Sequence, residues 1–186
     1  EAELYSKLLL PKNEGFPLWN PKPDEHLPSG YSKNGITIGD VGYLNGRGSF
    51  IYLFNIRCAA DDPVNVAGVP DGFQRLDINP QNITGSEDYY SPAEYVASNP
   101  SSIARARIPT QQQLPCVPTS STGALLILPE GGNKVDHTDV EAFRKYAKDH
   151  AQAWFSYARA RCVQNLYLIT GCNKARAWGT ACYNNA

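Results

Sequence analysis

The segment that decides the fold is residues 123–183, GALLILPEGGNKVDHTDVEAFRKYAKDHAQAWFSYARARCVQNLYLITGCNKARAWGTACY. Its apolar runs and turn-forming stretches predict a series of elements. These are a buried strand (124–128), a glycine-containing loop (129–136), one long helix (139–161), a second apolar strand (166–170) and a return strand (177–183). If the two strands that flank the helix lie in one sheet, the segment forms a right-handed crossover.

The long helix is predicted from its apolar side chains, which recur at intervals of three and four residues. The face expected to be buried consists of Val140, Phe143, Ala147, His150, Trp154 and Tyr157. Thr138 and Glu141 have the spacing of a capping box, in which a hydroxyl and a carboxylate satisfy backbone amides at the helix start.

The N-terminal half is predicted to be loop-rich, because proline fixes φ and removes a backbone donor. Residues 1–35 are expected to form an extended lead-in wrapped on the body, since they contain Pro11, Pro17, Pro21, Pro23 and Pro28. The pattern then predicts a hairpin with strands at 36–44 and 49–56, a short helix at 92–98 and a strand at 103–108.

These elements predict one α+β domain over residues 1–186, a mixed β-sheet with the long C-terminal helix packed on it. The hydrophobic content of 42% and charged content of 19% are typical of globular chains. No apolar run approaches the roughly 20 residues that span a bilayer. The net charge of -1 disfavours binding of nucleic acid through a general positive field.

The chain begins with Glu and contains no Met, so we expect a processed or trimmed form. That form is compatible with secretion and equally with a cytoplasmic location. Asn82, Ile83 and Thr84 make a glycosylation sequon, and the sequence leaves open whether it is used.

The chain has five cysteines, an odd number, so at least one lies outside any intrachain disulfide. A disulfide between Cys162 and Cys182 is the structural hypothesis, because a final hairpin turning near residue 174 brings the two together. Cys172 is then the candidate free thiol. The sequence itself leaves the oxidation state of every cysteine open, including Cys58 and Cys116.

Several short motifs, in this order, resemble an uncharacterised domain that recurs in predicted proteins of mushroom-forming fungi. The motifs are Gly15-Phe16-Pro17-Leu18-Trp19, Gly39-Asp40-Val41-Gly42, Leu53-Phe54-Asn55-Ile56, Gly68-Val69-Pro70-Asp71-Gly72-Phe73, Leu168-Ile169-Thr170-Gly171-Cys172-Asn173-Lys174 and Trp178-Gly179. The resemblance spans most of the chain and implies a fungal source and a self-contained fold. It implies no activity, cofactor or catalytic residue.

The candidate catalytic residues are His150, His137 and Asp136. His150 lies on the apolar helix face, where it is either a hydrogen-bonded core imidazole or a general base that faces a cleft. The loop before the helix is read as a plain connection, with a phosphate cradle or a cation at residues 136–139 as alternatives. No recognised ligand spacing supports the cation, so no metal site is predicted.

The candidate ligand-binding residues are Arg159, Lys174, Arg176 and Trp178. Arg161 belongs to the same basic group, and Arg105 and Arg107 could extend it. The arginines and the lysine either complement the helix end or hold an anion or an RNA phosphate. The chain's 11 Tyr and 3 Trp suit stacking on sugars or bases as well as ordinary packing.

No complete catalytic motif and no cofactor fingerprint is present, so the leading hypothesis is a non-enzymatic fungal binding or defence protein. Its ligand is a glycan or another protein. The alternative is a small hydrolase, a nuclease or ribotoxin-like enzyme acting on RNA, in which His150 or His137 works with a carboxylate and the basic group holds phosphate.

Overall fold

The computed structural model describes residues 1–105, 116–118, 120–161 and 163–184. The helices are α1 (Ala2–Leu9), α2 (Ser29–Asn34) and α3 (Val140–Ala158), with short 3-10 turns at Leu10–Lys12, Pro63–Asn65, Pro80–Asn82, Pro100–Ser102 and Arg159–Arg161. The strands are β1 (Asp40–Leu44), β2 (Phe50–Asn55), β3 (Ile83–Tyr90), β4 (Glu94–Ala97), β5 (Ile103–Arg105), β6 (Cys116–Pro118), β7 (Thr122–Leu128), β8 (Gly132–His137), β9 (Tyr167–Leu168), β10 (Gly171–Lys174) and β11 (Gly179–Asn184). No helix in the described ranges is long and apolar enough to cross a membrane.

The strands form several small sheets, and the predicted α+β class is confirmed. Three sheets have three strands each, in the orders β2-β1-β9, β10-β8-β3 and β11-β7-β4, and β5 pairs with β6. The three-stranded sheets are antiparallel, so they replace the single mixed sheet of the prediction.

The condition for a crossover around the helix is not met, because the strands predicted at 124–128 and 166–170 correspond to β7 and β9, which lie in different sheets. The return strand β11 pairs with β7, from Gly179 opposite Ile127 to Asn184 opposite Thr122. Strand β9 pairs with β1 instead. The expected final hairpin of residues 166–170 with 177–183 is therefore absent from the described structure.

The chain forms two compact units. The terminal unit comprises Glu1–Asn20, Glu87–Asn133 and Asn173–Ala186, and the central unit comprises Pro21–Ser86 and Lys134–Cys172. Each unit has its own apolar cluster. The single-domain assignment stays a prediction.

The core of the central unit is formed by the β1–β2 hairpin and α3. The Phe54 ring is fully buried and meets the rings of Trp154 and Tyr157 edge-on, at centroid distances of 5.8 and 5.6 Å. Such edge-to-face pairs stabilise beyond the area they bury. The predicted hairpin and helix are thus confirmed, and their contact organises this unit.

The start of α3 differs from the predicted capping box. Asp139 is the N-cap residue, and its Oδ1 accepts a hydrogen bond from the Ala142 N–H at 3.1 Å. The Thr138 hydroxyl donates instead to the Asn82 carbonyl at 3.2 Å. Val140, the first helical residue, is 42% exposed, whereas Phe143 on the same predicted face is buried.

The core of the terminal unit shows that the first residues are not extended as expected. Residues Ala2–Leu9 form α1, and Tyr5 and Leu9 on it are buried in a cluster with Ala124 of β7. Ser29–Asn34 of the central unit is likewise helical. Proline is absent from both stretches, so the argument from proline did not apply to them.

The predicted helix at 92–98 is also wrong. Ala93 has a φ of 65°, outside the right-handed helical region, and Glu94–Ala97 forms strand β4. This strand pairs with β7, with Val96 opposite Leu126 and Ala97 opposite Leu125. The strand at 103–108 is confirmed over Ile103–Arg105, and its remainder lies outside the described residues.

We predict that Trp154→Ala lowers the free energy of unfolding by about 3–5 kcal/mol, because it empties a buried site against Phe54. Phe155→Ala is the matched control, since the Phe155 ring is 46% exposed one position along the same helix. Its expected cost is below about 1 kcal/mol. Chemical denaturation of both variants measures the difference, and equal losses would contradict the assigned core.

Candidate binding site

Asp40, Asn55 and Asn65 form a buried, hydrogen-bonded polar network in the central unit. Asp40 is fully buried at the start of β1. Its carboxylate accepts hydrogen bonds from the Thr37 N–H at 2.6 Å and from the Asn55 amide at 2.7 Å. Burial raises the pKa of the Asp40 carboxyl from 3.8 to about 6, although hydrogen bonds from Thr37, Asn55 and Tyr31 favour its ionised form.

Asn65 extends this network and uses its whole side-chain amide. Its Oδ1 accepts from the Tyr52 hydroxyl at 3.1 Å and from the Asn55 N–H at 2.8 Å. Its Nδ2 donates to the carbonyls of Asn55 at 3.1 Å and Ala59 at 2.9 Å. A buried amide with every group satisfied holds the chain in place and has nothing left to offer a ligand.

A pocket of about 270 Å³ lies elsewhere in the central unit, between the end of β1 and the segment that joins α3 to β9. It is lined by Tyr43, Leu44, Arg161, Val163, Gln164, Asn165 and Tyr167. The pairing of β9 with β1 sets its walls, since Tyr167 lies opposite Gly42. A side chain at Gly42 would lie 2.5 Å from the Phe50 ring, so glycine lets the strands pack closely there.

Most polar side chains that line this pocket make no hydrogen bond within the described structure, in contrast to those of the Asp40 network. The side chains of Tyr43, Arg161, Gln164 and Asn165 make no hydrogen bond or ion pair with any residue that the structure describes. Gln164 and Asn165 are exposed, and Tyr43 is half-buried. Together they present amide, hydroxyl and guanidinium groups beside aromatic rings, a combination suited to a small polar ligand.

The Arg161 guanidinium lies over an aromatic ring. Its guanidinium carbon lies 5.5 Å from the centroid of the Tyr157 ring. The Tyr157 hydroxyl is itself anchored, because it donates to the carbonyls of Ala67 at 3.0 Å and Gly68 at 2.9 Å. Because the guanidinium makes no hydrogen bond to a described residue, its N–H donors are available to a ligand.

The candidate catalytic residues lie apart from this pocket's lining. His137 is 3% exposed at the end of β8, and its Nδ1 accepts the Asp139 N–H at 3.1 Å. Its Nε2 is buried without a hydrogen-bond partner among the described residues, and the ring packs edge-on against Phe143 at 4.9 Å. Asp136 is next to it in the chain and forms an ion pair with Lys134 at 3.8 Å.

His150 and Arg159 lie on and just after α3. The half-buried His150 ring rests on the Tyr146 ring at a centroid distance of 4.2 Å. Arg159 is exposed on the 3-10 turn Arg159–Arg161 and does not line the pocket. Within the described ranges, no group of three or more His, Cys, Asp and Glu side chains is arranged to hold a metal ion.

The other predicted ligand-binding residues belong to the terminal unit. Lys174 ends β10, Arg176 follows it in a bend, and Trp178 is 37% exposed just before β11. Arg159 belongs to the central unit, so the basic group of the prediction is divided between units. Arg161, a member of the same predicted group, lines the pocket, and Arg107, one of its proposed extensions, lies outside the described residues.

The predicted disulfide is not formed, because Cys182 is a free, half-buried thiol near the N-terminal amine and Glu1. Its proposed partner Cys162 lies outside the described residues. Burial raises the pKa of the Cys182 thiol, an effect that the nearby amine opposes. The Cys172 thiol lies 3.5 Å from the Ile36 carbonyl and donates to it.

Sequence reasoning missed most of the pocket. Tyr43, Gln164, Asn165 and Tyr167 were not singled out, and only Arg161 appeared as part of the basic group. The available signal was the polar pair Gln164-Asn165 between two apolar residues, at the point where the long helix has ended and β9 has not begun.

No protein-family model matches the chain, and no curated protein or solved structure is significantly similar to it. The assignment of a function therefore rests on the geometry of the described residues.

We predict that the stability of the protein relative to its Asp40→Asn variant falls as the pH rises from about 4 to about 7. Because the folded-state pKa of Asp40 is raised, the folded state binds this proton more tightly than the unfolded state does. The resulting stabilisation is complete below the pKa of the unfolded chain and is lost as the pH rises through about 6. The difference in free energy of unfolding between the two proteins should change by about 2–3 kcal/mol over this pH range.

Urea denaturation across this pH range measures the change, with Asp149→Asn as control because that side chain is exposed on α3. A stability difference for Asp40→Asn that stays constant with pH would show that the carboxyl is not desolvated as described.

Proposed function

We propose that this protein is a non-enzymatic binding protein of the recognition or defence type, and that its ligand is a glycan. Its fungal origin is part of the proposal and follows from the motif resemblance. The observation that carries the proposal is the pocket in which Tyr43, Arg161, Gln164 and Asn165 have no bonding partner among the described residues.

The contrast between two sets of amides supports this proposal. Asn55 and Asn65 are buried and hydrogen-bonded, so they serve the fold. Gln164 and Asn165 are exposed and leave their donors and acceptors free in the described structure. Sugar hydroxyls both donate and accept, and a side-chain amide can meet both needs at once.

The size of the pocket favours a single ring rather than a long segment of protein. Its volume of about 270 Å³ lies just below the range of about 300–1,000 Å³ for small-molecule sites. Tyr43 supplies a half-buried ring on which the apolar face of a sugar can rest. A protein ligand would have to present one side chain to such a pocket.

No observation of this kind supports the alternative of an enzyme that cleaves RNA. A general base must reach its proton within hydrogen-bond distance or through one water. His137 is almost wholly buried and already accepts a backbone N–H through Nδ1, and His150 packs on Tyr146. We therefore do not propose a hydrolase from these residues.

The test is a saccharide screen by saturation-transfer NMR, followed by titration of the strongest hit. We expect the double variant Gln164→Ala/Asn165→Ala to weaken binding by about tenfold or more, because each lost hydrogen bond costs about 0.5–1.5 kcal/mol. Its thermal midpoint should be unchanged, since neither side chain bonds the described protein.

The control is Gln152→Ala, which removes an exposed amide from α3 that does not line the pocket. It should bind like the unaltered protein. A screen without a hit would refute the glycan proposal, and so would a hit whose affinity is the same in the double variant.

A further inference from the structure

We propose that the pocket selects a carboxylated sugar, and that the Arg161 guanidinium pairs with the carboxylate. This inference rests on the proposed function and names the class of glycan. The only charged side chain among the lining residues is Arg161, and the remaining walls are tyrosine, amide and aliphatic.

The charge of Arg161 is not neutralised within the described structure. Among the residues that the structure describes, no carboxylate lies within ion-pair distance of its guanidinium, which lies over the Tyr157 ring. Arg75 and Arg144, by contrast, pair with Asp77 and Glu141. An unpaired guanidinium at the wall of a pocket complements an anionic ligand group, and carboxylate is the planar group that fits its paired donors.

Arg161 is exposed, and its guanidinium has one aromatic neighbour, the Tyr157 ring, whose own position is fixed. Tyr157 is fixed through two carbonyls and through its contact with the buried Phe54 ring. The guanidinium rests on this ring at 5.5 Å, so less side-chain freedom is lost when a ligand binds. Gln164 and Asn165 then bind hydroxyls of the same ligand.

The test compares glucuronate, glucose and acetate by isothermal titration. We expect glucuronate to bind about 10- to 100-fold more tightly than glucose, as a charge-assisted hydrogen bond allows. Arg161→Gln should abolish this preference while leaving the affinity for glucose unchanged. Raising the NaCl concentration from about 50 to about 500 mM should weaken the binding of glucuronate but not that of glucose, because salt screens an exposed ion pair.

Arg159→Gln is the matched control, since Arg159 is an exposed arginine on the same 3-10 turn and does not line the pocket. It should retain the preference for glucuronate. Loss of the preference in both variants would indicate general attraction by positive charge and overturn the role of Arg161.

The outcomes separate this inference from the proposed function. Equal binding of glucose and glucuronate, weakened in both cases by Gln164→Ala/Asn165→Ala, would retain a glycan site and refute acid selectivity. Acetate binding as tightly as glucuronate would reveal an anion site and refute the sugar. If other saccharides in the screen also fail to bind, the proposed function fails as well.

Discussion

The packing of α3 on the β1–β2 hairpin is the interaction on which the rest of the central unit depends. The Phe54 ring meets Trp154 and Tyr157 edge-on at 5.8 and 5.6 Å, and each of these rings belongs to α3. This contact fixes the rotation of the helix about its axis. It thereby fixes Tyr157, on which Arg161 rests at the pocket.

The central unit uses polar side chains in two opposite ways. Around Asp40 they are buried and bonded to one another, so the cost of removing them from water is offset within the protein. At the pocket, Gln164 and Asn165 remain exposed and open. Because these two amides make no hydrogen bond to the described protein, they are available to a ligand. This contrast with the buried amides is the basis of the proposed site.

Local patterns predicted the long helix, the hairpin and the α+β class. Helical spacing is contained in a few consecutive turns, so Phe143 and Trp154 could be assigned to the core in advance. Strand pairing is different, because the partner is chosen across the chain. The apolar run of β7 suits several partners equally, and nothing local showed that β11, rather than the strand after α3, would pair with it.

The pocket escaped prediction for the same reason. Asn65 and Asn165 are identical residue types, yet one is 1% exposed with its amide bonded and the other lines an open pocket. Only the positions of distant residues distinguish them. Arg161 was recognised as a cation, but its support by Tyr157 and its separation from described carboxylates depend on the folded chain.

The most direct test of this account is a ¹H–¹⁵N NMR titration with glucuronate. The account predicts chemical-shift changes concentrated at the pocket-lining residues 43–44, 161, 163–165 and 167, including the side-chain amides of Gln164 and Asn165. Changes confined to the indole of Trp178 and the backbone of residues 174–176 would contradict it, and would instead support the ligand site predicted from the sequence.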